Sequence, residues 1–113
     1  MRRNGPVLLA LALAACKPDP ASGSLDGPTI FAEACARCHG PTGRPTEQLV
    51  QQLGVKDLTA SELPEKITPA LVLHQVKTGS ENRIMPSFAG ALSAAQMEAV
   101  AKYVASPDFM RGK

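Results

Sequence analysis

The stretch Cys35-Ala36-Arg37-Cys38-His39 carries two thiols three residues apart and an imidazole directly beside the second. On a helix, residues three apart share a face and lie about 4.5 Å apart along the axis. Sulfurs so placed can add to the two vinyl groups on one edge of a porphyrin. The adjacent imidazole is then positioned to bring a ring nitrogen to the iron, a metal that neutral imidazole suits. The run therefore reads as a haem attachment site. Other uses of C-x-x-C fit less well. A thioredoxin-like pair needs a βαβ background that this sequence lacks. A zinc site built from Cys35, Cys38, His39 and His74 would place two ligands on adjacent residues and lacks the usual spacing. A disulfide between Cys35 and Cys38 would close almost no loop.

Outward from this motif the sequence reads as helices joined by long connections. A first helix is predicted from about Pro28 to Cys38, with Ile30, Phe31, Ala34, Cys35 and Cys38 on one side. Asp26 or Gly27 is its candidate cap, and Pro28 sits at a tolerated early position. Gly40, Pro41, Gly43 and Pro45 then turn the chain. Glu47 to Gln52 forms a short helix that Gly54 ends. Pro69 to Thr78 forms another, stopped by Gly79. Ser80 to Gly90 is an irregular loop that contains Met85-Pro86. Ser93 caps a last helix, with Gln96 completing a capping box and Met97, Val100, Ala101 and Val104 giving it an apolar stripe. Pro107 lies just beyond its end. No repeat and no alternating strand pattern is found, so the expected fold class is all-α.

The N-terminus reads as an address. Arg2 and Arg3 precede Val7–Ala15, a purely apolar run, as in the charged and apolar regions of a secretory signal. It is too short to span a membrane, which takes about 20 apolar residues. The segment ends Leu13-Ala14-Ala15-Cys16 and resembles the bacterial lipobox. That resemblance implies cleavage before Cys16 and lipidation of its sulfur and amino group. Acyl chains gain about 0.8 kcal/mol per buried CH₂, so two or three hold a small domain durably on a bilayer. Lys17 to Asp26, with two prolines and several small residues, reads as a flexible linker. The expected organisation is a signal over 1–15, a lipidated cysteine and linker over 16–26, a domain over 27–106 and a tail over 107–113.

Composition narrows the class. The chain has 113 residues, enough for one small domain, and a formal net charge of +2 with 19% charged residues. Without Arg2 and Arg3 it has 10 basic and 10 acidic residues, so nothing favours a nucleic-acid partner. The only large rings are Phe31, Phe88, Tyr103 and Phe109. A core so poor in aromatics is hard to stabilise at this size unless a cofactor helps fill it. The three cysteines are all used, one for lipid and two for haem, and none is left free.

The run Gly27…Phe31…Cys35-Ala-Arg-Cys-His39-Gly40-Pro41-Thr42-Gly43 resembles the start of a class I c-type cytochrome. Ile84-Met85-Pro86-Ser87-Phe88, followed by Gly90-Ala91-Leu92-Ser93 and the helix through Tyr103-Val104, resembles the rest. The resemblance covers roughly Gly27 to Ser106. It implies a small helical domain wrapped around one haem c, covalent through Cys35 and Cys38, with His39 and Met85 as axial iron ligands. The residues agree on Met85. It follows His39 by 46 positions, enough chain to reach the ring's other face, and Pro86 keeps it out of a helix. Met97 belongs to an apolar stripe and Met110 to the tail. His74, the rival ligand, reads as a solvated helix histidine.

The resemblance further implies that Phe31 and Tyr103 meet where the first and last helices cross. Lys56-Asp57-Leu58-Thr59 resembles a segment that in relatives carries an arginine near a haem propionate, and Lys56 and Arg83 are candidates for that contact. Relatives often use a proline carbonyl to accept the ligand histidine's N–H. Pro41 and Pro45 follow His39 at an unfamiliar spacing, so the sequence leaves the acceptor open. The expected function is one-electron transfer without catalysis, by a monomer meeting redox partners transiently on the periplasmic or extracytoplasmic face of a bacterial membrane. The alternatives are a subunit docked permanently to a respiratory or dehydrogenase complex, and a haem-based gas sensor in which Met85 dissociates.

Overall fold

The computed structural model describes residues 23–60 and 67–111. Among them there are helices and turns and no strand. The signal, Cys16 and most of the linker lie outside the described residues. No helix among those described is long and apolar enough to cross a membrane.

Asp26 starts the domain. Its carboxylate accepts from the Thr29 amide at 3.1 Å and the Thr29 hydroxyl at 2.6 Å, with Pro28 in the first turn. Helix α1 (Gly27–Ile30) runs directly into a π-helical turn (Phe31–Cys35) and then α2 (Ala36–His39). At that turn the Ala36 amide reaches back five residues to the Phe31 carbonyl. The spacing predicts one unbroken α-helix with a single apolar side. The extra residue of a π turn instead rotates the next helical segment by about 100°. Ile30 and Phe31 are buried, Cys35 is half-buried and Cys38 is exposed. Cys35 still packs against the core, while Cys38 faces outward.

Helices α3 (Glu47–Leu53) and α4 (Pro69–Thr78) begin on Thr46 and Thr68, whose hydroxyls accept from the Leu49 and Leu71 amides. Helix α5 (Ala94–Val104) carries the full capping box: Ser93 Oγ accepts from the Gln96 amide and Gln96 Oε1 from the Ser93 amide. Gln96 is itself buried, and its Nε2 donates to the Ser24 carbonyl at 3.1 Å. That bond fastens the N-terminal approach to the start of α5.

Helix α5 packs on both α1 and α4, and its Met97, Val100, Ala101 and Val104 are all buried. Gly27 permits the α1 crossing: a Cβ there would lie 2.5 Å from Tyr103 Cβ and 3.0 Å from the Ala99 carbonyl oxygen. Val76 and Leu92 complete that side of the core.

The sequence places the domain's end at Ser106 and reads Pro107 onward as tail. In the structure Ser106 caps one more turn, α6 (Pro107–Met110), and Phe109 is only 2% exposed. Its ring joins Phe31 and Tyr103, with centroids 5.1 and 5.3 Å away, while Phe31 and Tyr103 lie 6.1 Å apart. All three contacts are edge-to-face, and such pairs contribute about 0.5–1.5 kcal/mol each beyond burial. The expected two-ring crossing is present and is enlarged to three rings.

Candidate haem site

His39 is the last residue of α2, where Gly40 turns the chain at φ 77°. Its ring is half-buried, and Nδ1 lies 3.0 Å from the Lys56 carbonyl oxygen. A carbonyl only accepts, so Nδ1 carries the proton and Nε2 is left with a bare lone pair. Burial pushes the His39 pKa below the ordinary histidine value, and the Lys56 carbonyl opposes this. Burial thus favours the neutral ring, the form in which imidazole binds a metal. The acceptor for the His39 N–H is thus neither Pro41 nor Pro45 but Lys56. The Asp57 carboxylate accepts from the Thr59 amide at 2.8 Å and from its hydroxyl, and the Leu58 amide donates to the Gly43 carbonyl at 2.9 Å. These bonds pin the segment that carries the Lys56 carbonyl. The Thr59 contacts, more than nearby Arg44, hold the Asp57 carboxyl below its usual range.

No disulfide joins Cys35 and Cys38. Burial, with Cys38 beside it, pushes the Cys35 pKa up to about 11. That shift runs opposite to the depressed thiol of a thioredoxin-like site. Among the described residues, no three His, Cys, Asp or Glu side chains converge as a metal-binding set. Cys35, Cys38, His39 and His74 do not form such a set.

Met85 is half-buried and packs against the core. Its backbone is held from both sides by one residue: the Met85 amide donates to Ser80 Oγ at 3.1 Å, and the Ser80 amide donates to the Met85 carbonyl at 2.9 Å. The Phe88 amide donates to the Val76 carbonyl, and the Ser87 hydroxyl to the Lys77 carbonyl, so the loop is tied back to α4. Gly79 lies at φ 72°, and a Cβ there would meet the Met85 carbonyl oxygen at 2.7 Å. His74 is exposed on α4, opposite the buried Val76. Arg83, at φ 62°, and Lys56 are exposed too.

Ile84, next to Met85 in the chain, is a large apolar side chain 45% exposed. Two shallow cavities, of about 320 and 290 Å³, lie elsewhere and are lined by neither His39 nor Met85. Sequence reasoning misses Ser80 and the Lys56 carbonyl. A hydroxyl five residues before Met85 is the only available signal for the first, and every residue carries a carbonyl.

A family model described as cytochrome C oxidase, cbb3-type, subunit III matches residues 24–104. No curated protein sequence matches. Among solved structures, the KustC0563 c-type cytochrome is similar, with a TM-score of 0.62 and 25% identity over 71% of this chain and 94% of that one. A point mutant of the same cytochrome gives a TM-score of 0.62 and 26% identity over 72% and 96%. This chain therefore belongs to the cytochrome c family that the cbb3-type subunit III model represents, with the all-α cytochrome c fold and a covalently bound haem c.

Proposed function

We propose that the protein is a single-electron carrier whose haem c is bonded through Cys35 and Cys38 and ligated by His39 and Met85. Haem c supplies the one-electron couple of its iron. The chain's own residues do the rest. His39, with its proton fixed on Nδ1 by Lys56, would offer Nε2 to the iron. Met85 would offer a soft thioether, which favours Fe(II) and raises the potential. Iron held by both side chains would leave no open site for a substrate, which supports transfer rather than catalysis. The observation that carries this reading is the His39 Nδ1 contact with the Lys56 carbonyl. It orients the imidazole as second-shell partners orient metal-bound histidines.

Cys16, if lipidated, would tether the domain to the outer face of a bacterial membrane, where transient encounters with redox partners suit a small carrier. The test is a pyridine haemochrome spectrum with intact mass on the full chain made with an export and haem-attachment system. The expected result is one haem per chain joined by two thioethers, and acyl mass on Cys16. A chain with haem lost on denaturation would refute the attachment, and an unacylated Cys16 would refute the anchor.

The family description favours a second reading, in which the domain is a fixed subunit of a terminal oxidase and relays electrons within it. Size exclusion after mild detergent extraction separates the two. A lone monomer supports the carrier, and a tightly co-eluting partner supports the subunit.

A further inference from the structure

Phe109 lies beyond the segment that the family model matches, yet its ring is almost wholly buried. It rests on the loop after His39. A Cβ on Gly43 would fall 2.5 Å from Phe109 Cζ, 2.9 Å from its Cε1 and 3.3 Å from Leu58 Cβ. The ring thus occupies the space a side chain at position 43 would need. The same Gly43 accepts from the Leu58 amide at 2.9 Å, and two residues before Leu58 is the carbonyl that receives His39 Nδ1–H. His39, Gly43, Leu58 and Lys56 close a circuit of two short chain segments and two hydrogen bonds. Phe109 presses on that circuit where Gly43 and Leu58 meet.

We propose that Phe109 is a positioning residue for His39, acting through Gly43 and Leu58 on the Lys56 carbonyl; this rests on the reading of His39 as an iron ligand. Histidine's N–H bond to a carbonyl raises the basicity of its other nitrogen and stabilises the ferric state. If Phe109 keeps that bond tight, removing the ring loosens it. The potential then rises, and the His39 ring proton exchanges faster. A cavity that merely admitted water would do the reverse to the potential, because a more polar site favours the more highly charged iron.

The experiment uses the full haem-bearing chain and compares Phe109→Ala, Phe109→Leu and Gln96→Ala. Gln96→Ala is the stability control, since it breaks the α5 capping box and shares none of the circuit's contacts. Thermal melting, reduction potential and exchange of the His39 Nδ1 proton by NMR are read on each. Phe109→Ala is expected to lower the melting temperature, raise the potential and speed the ring-proton exchange. Phe109→Leu should shift both in the same direction by less, and it decides the matter if the alanine variant fails to hold haem. Gln96→Ala should lower the melting temperature alone. An unmoved or lowered potential with unchanged exchange in the Phe109 variants overturns the proposal. A wild-type spectrum without His39 on the iron overturns the parent reading and this one together, and is seen before any variant is made.

Discussion

Met85 and His74 are the two side chains whose substitution separates one ligand set from another. Met85 is half-buried on a loop fastened to Ser80 and α4, whereas His74 is exposed. The oxidised protein should show the weak near-infrared band of methionine–iron bonding; Met85→Ala should abolish it, and His74→Ala should leave it in place. The opposite pattern would reassign the ligand. Gly79→Ala is expected to weaken the same site without touching a ligand. It forces a side chain into a backbone at φ 72° and ψ −175°, a region essentially reserved for glycine, at a cost of about 1–3 kcal/mol, and drives it onto the Met85 carbonyl. Reduced stability with a diminished methionine band is the signature; an unchanged protein would show that the loop yields freely.

The aromatic crossing and the caps act at the level of whole helices. Replacing Ser93 by Ala removes the hydroxyl end of the α5 capping box and should cost about 1 kcal/mol in chemical denaturation. Tyr103 is the chain's only tyrosine, so its ionisation is directly visible in the ultraviolet. Burial, then the nearby Asp108 and Asp26 carboxylates, raise its pKa above the ordinary value of 10.0. A raised phenol favours folding fully below the unfolded pKa, and this contribution falls away as pH climbs through the folded value. Tyrosinate should therefore appear at higher pH than in the unfolded chain, and Asp108→Asn should bring it back part of the way. The helices themselves are largely legible: Asp26, Ser93, Gln96, Gly54 and Gly79 are local signals that act within a turn of where they stand. The π turn is not, because residue spacing alone does not count the hydrogen bond that skips to five. Helix α6 escapes a reading in which Pro107 only stops the preceding helix. Ser106-Pro107-Asp108 also spells a start, with a capping hydroxyl, a proline in the first turn and an acidic residue after it.

For the molecule as a whole, the buried set is small: nine apolar residues among those described, two of them the rings of Phe31 and Phe109, with half-buried Tyr103 against both. A domain of this size with so little core depends on its cofactor for stability. Made where haem is not attached, the chain should lose its cooperative thermal transition by circular dichroism; a sharp transition of unchanged midpoint would show that the polypeptide folds unaided. On the proposed lipidation of Cys16, changing it to Ser should move the protein from the membrane fraction to the soluble one while leaving its visible spectrum intact; an unchanged distribution would refute the anchor. The site's two thiols and imidazole are readable because attachment chemistry fixes their spacing in one short run. The Lys56 carbonyl is not, because its contact with His39 spans 17 positions and belongs to the backbone.

The paired bonds between Ser80 and Met85 make no use of the iron at all. The main chain behind the sulfur is seated by its own neighbours whichever charge the metal carries. On the proposed ligation by Met85, gaining or losing an electron would then ask for no rebuilding of the main chain on that side, because a serine and the turn beside it already hold it in place.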